Sequence, residues 1–289
     1  MGLRRSAASH AHGMRDPFQG KIALVTGGSS GIGRAIATRL AACGCTVDIM
    51  ARDGEHLQAA KAHIVGSCPG SSGTVSVLQA DVSDEAGVAA AMARFEATCG
   101  LPDFLFNCAG TAEPGYIQDY PLAAYEAAIR VDYLGTVIPT RYVLRGFIAR
   151  GSGHIINVSS VVGFLGLIGY GTYAPAKSAV VGFSEVLRHE MKPHGVRVSV
   201  VCPPDVDTPG FAQENRTKPA ECAAISRRAR VMQADDVARA VLDGVRRNRF
   251  YILPGRAGVL FRLKGMVPGL VRLVLDHELR SARRKLNRR

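Results

Sequence analysis

The sequence predicts a single-domain α/β fold, a doubly wound parallel sheet with helices on both faces. Three observations predict it. Short apolar runs alternate with helically spaced segments along most of the chain. A glycine-rich turn joins the first run directly to the first helical segment. The 289 residues, 47% of them hydrophobic, are enough to bury a sizeable core. Such alternation implies βαβ units with right-handed crossovers.

The first run, Lys21 to Thr26 (KIALVT), ends in glycines, as a buried strand does. Gly31 to Leu40 then sets Ile32, Ile36 and Leu40 on one helical face. Thr46 to Met50 reads as a strand, Glu55 to Val65 as a helix and Thr74 to Leu78 as a third strand. The Ala-rich segment Ala86 to Thr98 is helical, and Phe104 to Phe106 is a fourth strand. Tyr125 to Arg150 is helical, His154 to Val158 a strand, Tyr170 to Met191 helical and Val196 to Val201 a strand. Asp207 to Arg230 breaks the rhythm: it is polar and basic, with Pro209 and Pro219. A helix from Asp235 to Arg247 and a strand from Phe250 to Leu253 follow.

No repeat or linker divides the chain. Residues 1–17 read as a disordered extension, without an apolar core of signal-peptide length. Met1-Gly2 with Ser6 matches the loose myristoylation pattern. Residues 18–255 read as the α/β domain and 256–289 as a basic amphipathic tail. The net charge is +12, and the tail, from Arg256 to Arg289, sets its many arginines and lysines against only Asp276 and Glu278. That imbalance points to an anionic partner. Leu270, Leu273 and Val274 share a helical face opposite Arg272 and Asp276, which fits a segment lying on a membrane or packed on its parent domain. Arg262, Lys264, Pro268 and Arg272 interrupt the apolar stretch Ala257 to Leu275, so it is not expected to span a bilayer. No aromatic interleaving accompanies the basic residues, which argues against nucleic acid as the partner. Seven scattered cysteines, an odd number, argue against a disulfide framework and for a reducing, cytoplasmic compartment. They also lack the paired spacing of a zinc site.

The first candidate for chemistry is Thr26-Gly27-Gly28-Ser29-Ser30-Gly31-Ile32-Gly33, between a strand and a helix. Glycines let the backbone turn sharply and approach a pyrophosphate, which the free N–H groups of the helix start then hold. No Gly-Lys-Ser/Thr closes the turn, so it is not a P-loop. An acid at the end of the second strand would hold the ribose hydroxyls of NAD, but this chain has Ala51 followed by Arg52. A guanidinium fork suits a 2′-phosphate, so NADP(H) is the expected cofactor, with Ser30, Arg34 and His56 nearby.

The second candidate is Tyr173-Ala174-Pro175-Ala176-Lys177, a phenol and an ammonium on one helical face. Pro175 is tolerable in a first helical turn. Ser160 stands thirteen residues before Tyr173, at a strand end. Together they suit reduction of a ketone, which needs a proton for the oxygen and a hydrogen bond to it. A free phenol titrates near pH 10. Lys177 is expected to draw it towards neutrality.

The Gly27, Gly31, Gly33 spacing, Ser160 and Tyr173-x-x-x-Lys177 together resemble the short-chain dehydrogenases/reductases, a Rossmann-type family. The resemblance implies that Gly27, Ser29, Ser30, Gly31, Ile32 and Gly33 hold the pyrophosphate side of the cofactor. It implies Arg52 and His56 near the 2′-phosphate, and Asp81-Val82 at the adenine. Asn107, Ala109 and Gly110 of Asn-Cys-Ala-Gly, Lys177 at the nicotinamide ribose, and Pro203, Val206 and Thr208 complete the cofactor set, with Tyr173 beside them. Asp132 stands where the family has a relay Asn that supports a water. Pro203-Pro204-Asp205 through Glu214-Asn215-Arg216-Thr217-Lys218-Pro219 is similar to 3-ketodihydrosphingosine reductases. It implies a long-chain lipid ketone substrate, a lid over residues 207–230 and a homo-oligomer, dimer or tetramer, while the basic amphipathic tail, which the resemblance does not cover, points to peripheral contact with the cytoplasmic face of a membrane. A reductase of steroid or 3-ketoacyl ketones and a non-catalytic NADP sensor are the alternatives, the latter disfavoured by the intact Ser160, Tyr173 and Lys177.

Overall fold

In the computed structural model, which describes residues 16–227 and 230–287, the apolar runs are strands and the periodic segments helices. The first half comprises β1 (Ile22–Thr26), α1 (Gly31–Ala42), β2 (Thr46–Ala51), α2 (Gly54–Ser67), β3 (Val75–Gln79), α3 (Glu85–Cys99) and β4 (Phe104–Asn107). Then come α4 (Leu122–Ala128), α5 (Gly135–Arg150), β5 (Gly153–Val158), α6 (Tyr173–Met191) and β6 (Val196–Val201). The last part holds β7 (Val206–Asp207), α7 (Pro209–Thr217), α8 (Ala220–Ser226), β8 (Met232–Gln233), α9 (Ala234–Arg246), β9 (Tyr251–Ile252), α10 (Ala257–Met266) and α11 (Pro268–Leu286).

Seven strands pair in parallel in the order β3-β2-β1-β4-β5-β6-β9, and β7 and β8 form a separate parallel pair. The chain moves outward from β1 to β3, then returns to place β4 on the other side of β1. Helices therefore cover both faces, and a crevice opens at the carboxyl ends of β1 and β4, where the winding reverses. One apolar layer packs Ile36, Leu40, Val241 and Leu242 against the sheet; the other packs Val88, Phe95, Phe147 and Leu187. Thr26 ties the crevice together, since its hydroxyl accepts the Cys108 and Ala109 N–H groups at 3.2 and 3.3 Å.

Three boundaries differ from the sequence reading. The expected disordered extension lies outside the described residues up to 15, but Asp16 and Pro17 belong to the ordered fold. Asp16 accepts the Phe18 N–H at 3.1 Å and pairs with Arg246 at 2.7 Å, and Phe18 is fully buried. The helical stretch expected from Tyr125 to Arg150 is divided by a π-helical turn, Ile129–Leu134, between α4 and α5. The described part of the expected tail, residues 256–287, packs back on the domain. Ala257 is fully buried, and Leu260, Phe261, Val271 and Leu275 pack against Val161, Phe164 and Leu165 of the loop that carries Ser160. The seven cysteines are free thiols. No described helix is long and apolar enough to cross a membrane.

Candidate active site

The glycine turn makes the floor of the cleft. Gly27 and Gly31 take φ of 65° and 53°, which favours glycine at both. A Cβ on Gly33 would lie 2.3 Å from the Gly27 carbonyl oxygen, so α1 packs too close for any side chain there. Ser30 heads α1 without capping it through its side chain, leaving first-turn N–H groups open to an anion. This cradle fits a pyrophosphate. At the end of β2, Arg52 reaches Asp81 at 3.8 Å but keeps a mostly exposed guanidinium. The cleft, of about 400 Å³, runs from this turn past Asp81, Val82, Ala109 and Gly110 to Ser160, Tyr173 and Lys177, with Pro203, Val206 and Thr208 on its wall. Ser29, Ile32 and His56 also line it. Asp53 caps α2 by accepting the His56 N–H at 2.9 Å.

Tyr173 opens α6, so Pro175 does fall in a first turn and costs no hydrogen bond. The Lys177 ammonium donates to the Val158 carbonyl at 3.1 Å, sits 5.5 Å from the Tyr173 ring centre and pairs with Asp132 at 3.2 Å. Lys177 and Asp132 are both buried. The same Asp132 oxygen accepts the Thr111 N–H at 3.1 Å, while its other oxygen has no hydrogen-bond partner among the described residues. A Cβ on Gly110 would stand 2.5 Å from Asp132 Oδ1 and 2.9 Å from Lys177 Nζ. The last residue of Asn-Cys-Ala-Gly is thus glycine because the ion pair fills the space.

The electrostatics correct one expectation. Lys177 was to pull the Tyr173 phenol down, yet burial and then the charges of Asp132 and Glu214 hold it well above its ordinary value; a Ser160 hydrogen bond pulls the other way. Asp132 answers the ammonium charge at 3.2 Å. Burial in turn raises the Asp132 carboxyl, against the opposing pull of Lys177. A phenol in this setting keeps its proton through neutral pH, the state a proton donor needs.

Two predicted site residues stand off the cleft wall. Asn107 is buried beneath it and donates to Thr140 Oγ1 at 3.0 Å and Asn157 Oδ1 at 2.9 Å, a strut between β4, α5 and β5. Asp132 stands behind Lys177, on the π turn. The wall also includes Asp205, Phe211, Glu214 and Tyr170, none of them among the expected catalytic or cofactor-binding residues. Tyr170 donates to Glu214 at 2.5 Å across 44 residues, a closeness created by the folding of α7 that no local periodicity signals.

The chain belongs to the short-chain dehydrogenases: the short chain dehydrogenase family profile matches residues 21–219. It is 39% identical over 233 residues to a 3-dehydrosphinganine reductase of Danio rerio, covering 80% of this chain and 70% of that one. It is 38% identical over 231 residues to a 3-ketodihydrosphingosine reductase of Bos taurus, covering 79% and 70%. Among solved structures, a short-chain dehydrogenase from Sphingobium yanoikuyae in complex with NADPH superposes with a TM-score of 0.74 at 29% identity, covering 87% of this chain and 95% of that one.

Proposed function

We propose that this protein is an NADPH-dependent oxidoreductase that reduces the ketone of 3-ketodihydrosphingosine, a long-chain 2-amino-3-ketone, to the alcohol. One observation carries the reading. The run from Pro203 to Lys218, similar to that of sphingoid-ketone reductases, supplies Pro203, Pro204, Asp205, Phe211 and Glu214 to the wall of the cleft that holds Tyr173. NADPH, when bound, supplies the hydride. Tyr173 donates its phenolic proton to the ketone oxygen, and Ser160 donates a hydrogen bond to that oxygen as charge develops there. Lys177, held by Asp132 and the Val158 carbonyl, keeps a fixed positive charge beside the phenol as it loses its proton.

The glycine cradle suits the pyrophosphate that both cofactors share, and the open Arg52 guanidinium supports NADPH over NADH. Replacing Arg52 by Asp is expected to raise the KM for NADPH by about 10-fold or more, since a charged hydrogen-bond pair is lost and a like charge introduced. The KM for NADH should move far less; equal effects on both would remove Arg52 from the 2′-phosphate.

We also infer peripheral membrane contact on the cytoplasmic face. Leu263, Met266, Val267, Leu270, Leu273 and Val274 stand exposed around the α10–α11 elbow, with Arg262 and Arg272 exposed beside them. An apolar ridge with flanking cations suits an anionic bilayer, from which a single-chain lipid must be collected. Tyr142 and Ile148 on α5 and Val186 on α6 are also exposed, and they support a homo-oligomer packed through these helices.

One assay tests both readings. NADPH consumption is followed with 3-ketodihydrosphingosine in anionic vesicles or detergent micelles, beside steroid and 3-ketoacyl ketones. The sphingoid ketone is expected to give the highest kcat/KM. Leu270→Glu with Leu273→Glu should lower the vesicle rate by about 10-fold or more, from the apolar burial lost, and the micelle rate far less. A better steroid or acyl substrate would refute the assignment, and equal losses in vesicles and micelles would refute the membrane contact.

A further inference from the structure

Where the Pro203–Lys218 run meets the cleft, Asp205, Glu214 and the neighbouring Lys218 have no part in moving the hydride or the proton. Glu214 is already engaged. Its Oε1 takes the Tyr170 hydroxyl at 2.5 Å and stands 2.9 Å from the Lys218 ammonium. Lys218 is buried and lies 4.2 Å from the Phe211 ring centre. This pair is a fixed feature of α7 and the turn that follows it.

Asp205 differs. Its main chain is anchored, the carbonyl accepting the Met232 N–H at 2.9 Å where β7 meets β8. Asp205 lines the cleft, yet among the described residues no hydrogen bond or ion pair reaches its carboxylate. The other lining carboxylates are occupied: Asp53 caps α2, Asp81 takes the Ser83 N–H and hydroxyl, and Glu214 holds Tyr170 and Lys218. Around the lid base, two carboxylates thus face one ammonium, and the wall is short of one positive charge. Burial accordingly pushes the Asp205 carboxyl up, with Lys218 opposing and Glu214 adding to it. The charges of both Asp205 and Glu214 act on the Tyr173 phenol, so both lie within electrostatic reach of the reacting oxygen.

We propose that Asp205 is the residue that recognises the substrate's 2-ammonium group, with the Glu214–Lys218 pair as its rigid flank. This rests on the sphingoid-ketone reading above. In such a substrate the ammonium is borne by the carbon next to the ketone. Once the ketone oxygen lies at Ser160 and Tyr173, the ammonium is confined to the surrounding wall, where Asp205 is the carboxylate lacking a partner. A charge-assisted contact then forms, and the missing cation is supplied by the substrate. A neutral ketone leaves Asp205 desolvated and unpaired, so selectivity arises from the carboxylate itself.

The test compares 3-ketodihydrosphingosine with the same chain carrying hydrogen in place of the amino group. Wild-type protein should prefer the amino ketone, by about 10- to 100-fold in kcat/KM for a charged hydrogen bond. Asp205→Asn, nearly the same shape, should collapse that ratio towards one, mainly through the amino ketone, and Asp205→Glu should recover part of it. NADPH binding, read by fluorescence titration, confirms that each variant is folded. A ratio unchanged by Asp205→Asn overturns the ammonium site while leaving the sphingoid reading intact. Wild-type protein that reduces the deaminated chain and not the amino ketone overturns the reading, and the site with it.

Discussion

Replacing Tyr173 by Phe is expected to lower kcat by about 10³-fold, the scale on which a positioned proton donor contributes. The substitution removes one hydroxyl and little else. The ring stays against Tyr170, 6.2 Å between centres, and beneath the Lys177 ammonium at 5.5 Å. Lys177 keeps Asp132 and the Val158 carbonyl, so the buried ion pair survives. What disappears is the proton that must reach the ketone oxygen as hydride reaches its carbon. Ser160 remains to donate a hydrogen bond to that oxygen, but its own proton is far too weakly acidic to be given up near neutral pH. The measurement is single-turnover NADPH oxidation beside fluorescence titration of NADPH. Weak turnover with retained NADPH affinity is the expected pair of results. Near-normal turnover would move the donor role elsewhere.

The reach of the sequence follows from the range of each interaction. The strand–turn–helix at Thr26 to Gly33 is local, and its glycines have backbone reasons a sequence can express: positive φ at Gly27 and Gly31, close packing at Gly33. The seven strands of the main sheet are legible because each is a short apolar run bounded by turn residues, and their bounds agree to within a residue or two, whereas the two-residue strands β7 and β8 carry no such signal. The π turn at Ile129–Leu134 left no mark, since its hydrophobic spacing continues the helical pattern on either side. Yet that turn carries Asp132, behind the lysine. Asn107 belongs to the family's motif, but only its partners Thr140 and Asn157, 33 and 50 residues away, reveal it as a strut. The tail's amphipathic pattern fitted a membrane or the parent domain equally. The structure divides the face, with Phe261, Val271 and Leu275 inward and Leu270, Leu273 and Val274 outward.

Asp132→Asn is expected to move the pH dependence of the reaction with a defined sign. In the wild type the Asp132 carboxylate stands 3.2 Å from the Lys177 ammonium and, after burial, is the largest influence holding the Tyr173 phenol up. Asparagine keeps an oxygen to accept from Lys177 and Thr111 but removes the negative charge. The ammonium then acts on the phenol unopposed, and the phenolate becomes easier to form. Ketone reduction uses the protonated phenol, so the alkaline limb of its kcat/KM profile should move to lower pH, by on the order of one pH unit for the loss of one nearby like charge. Alcohol oxidation uses the phenolate, so its rising limb should also move to lower pH and the variant should gain relative activity at neutral pH. Opposite consequences for the two directions at one pH separate this electrostatic role from a packing defect, which would depress both. If both limbs stay where they are in a folded, active variant, the carboxylate charge is not coupled to Tyr173, and the main chain alone accounts for the place of Asp132 in the site.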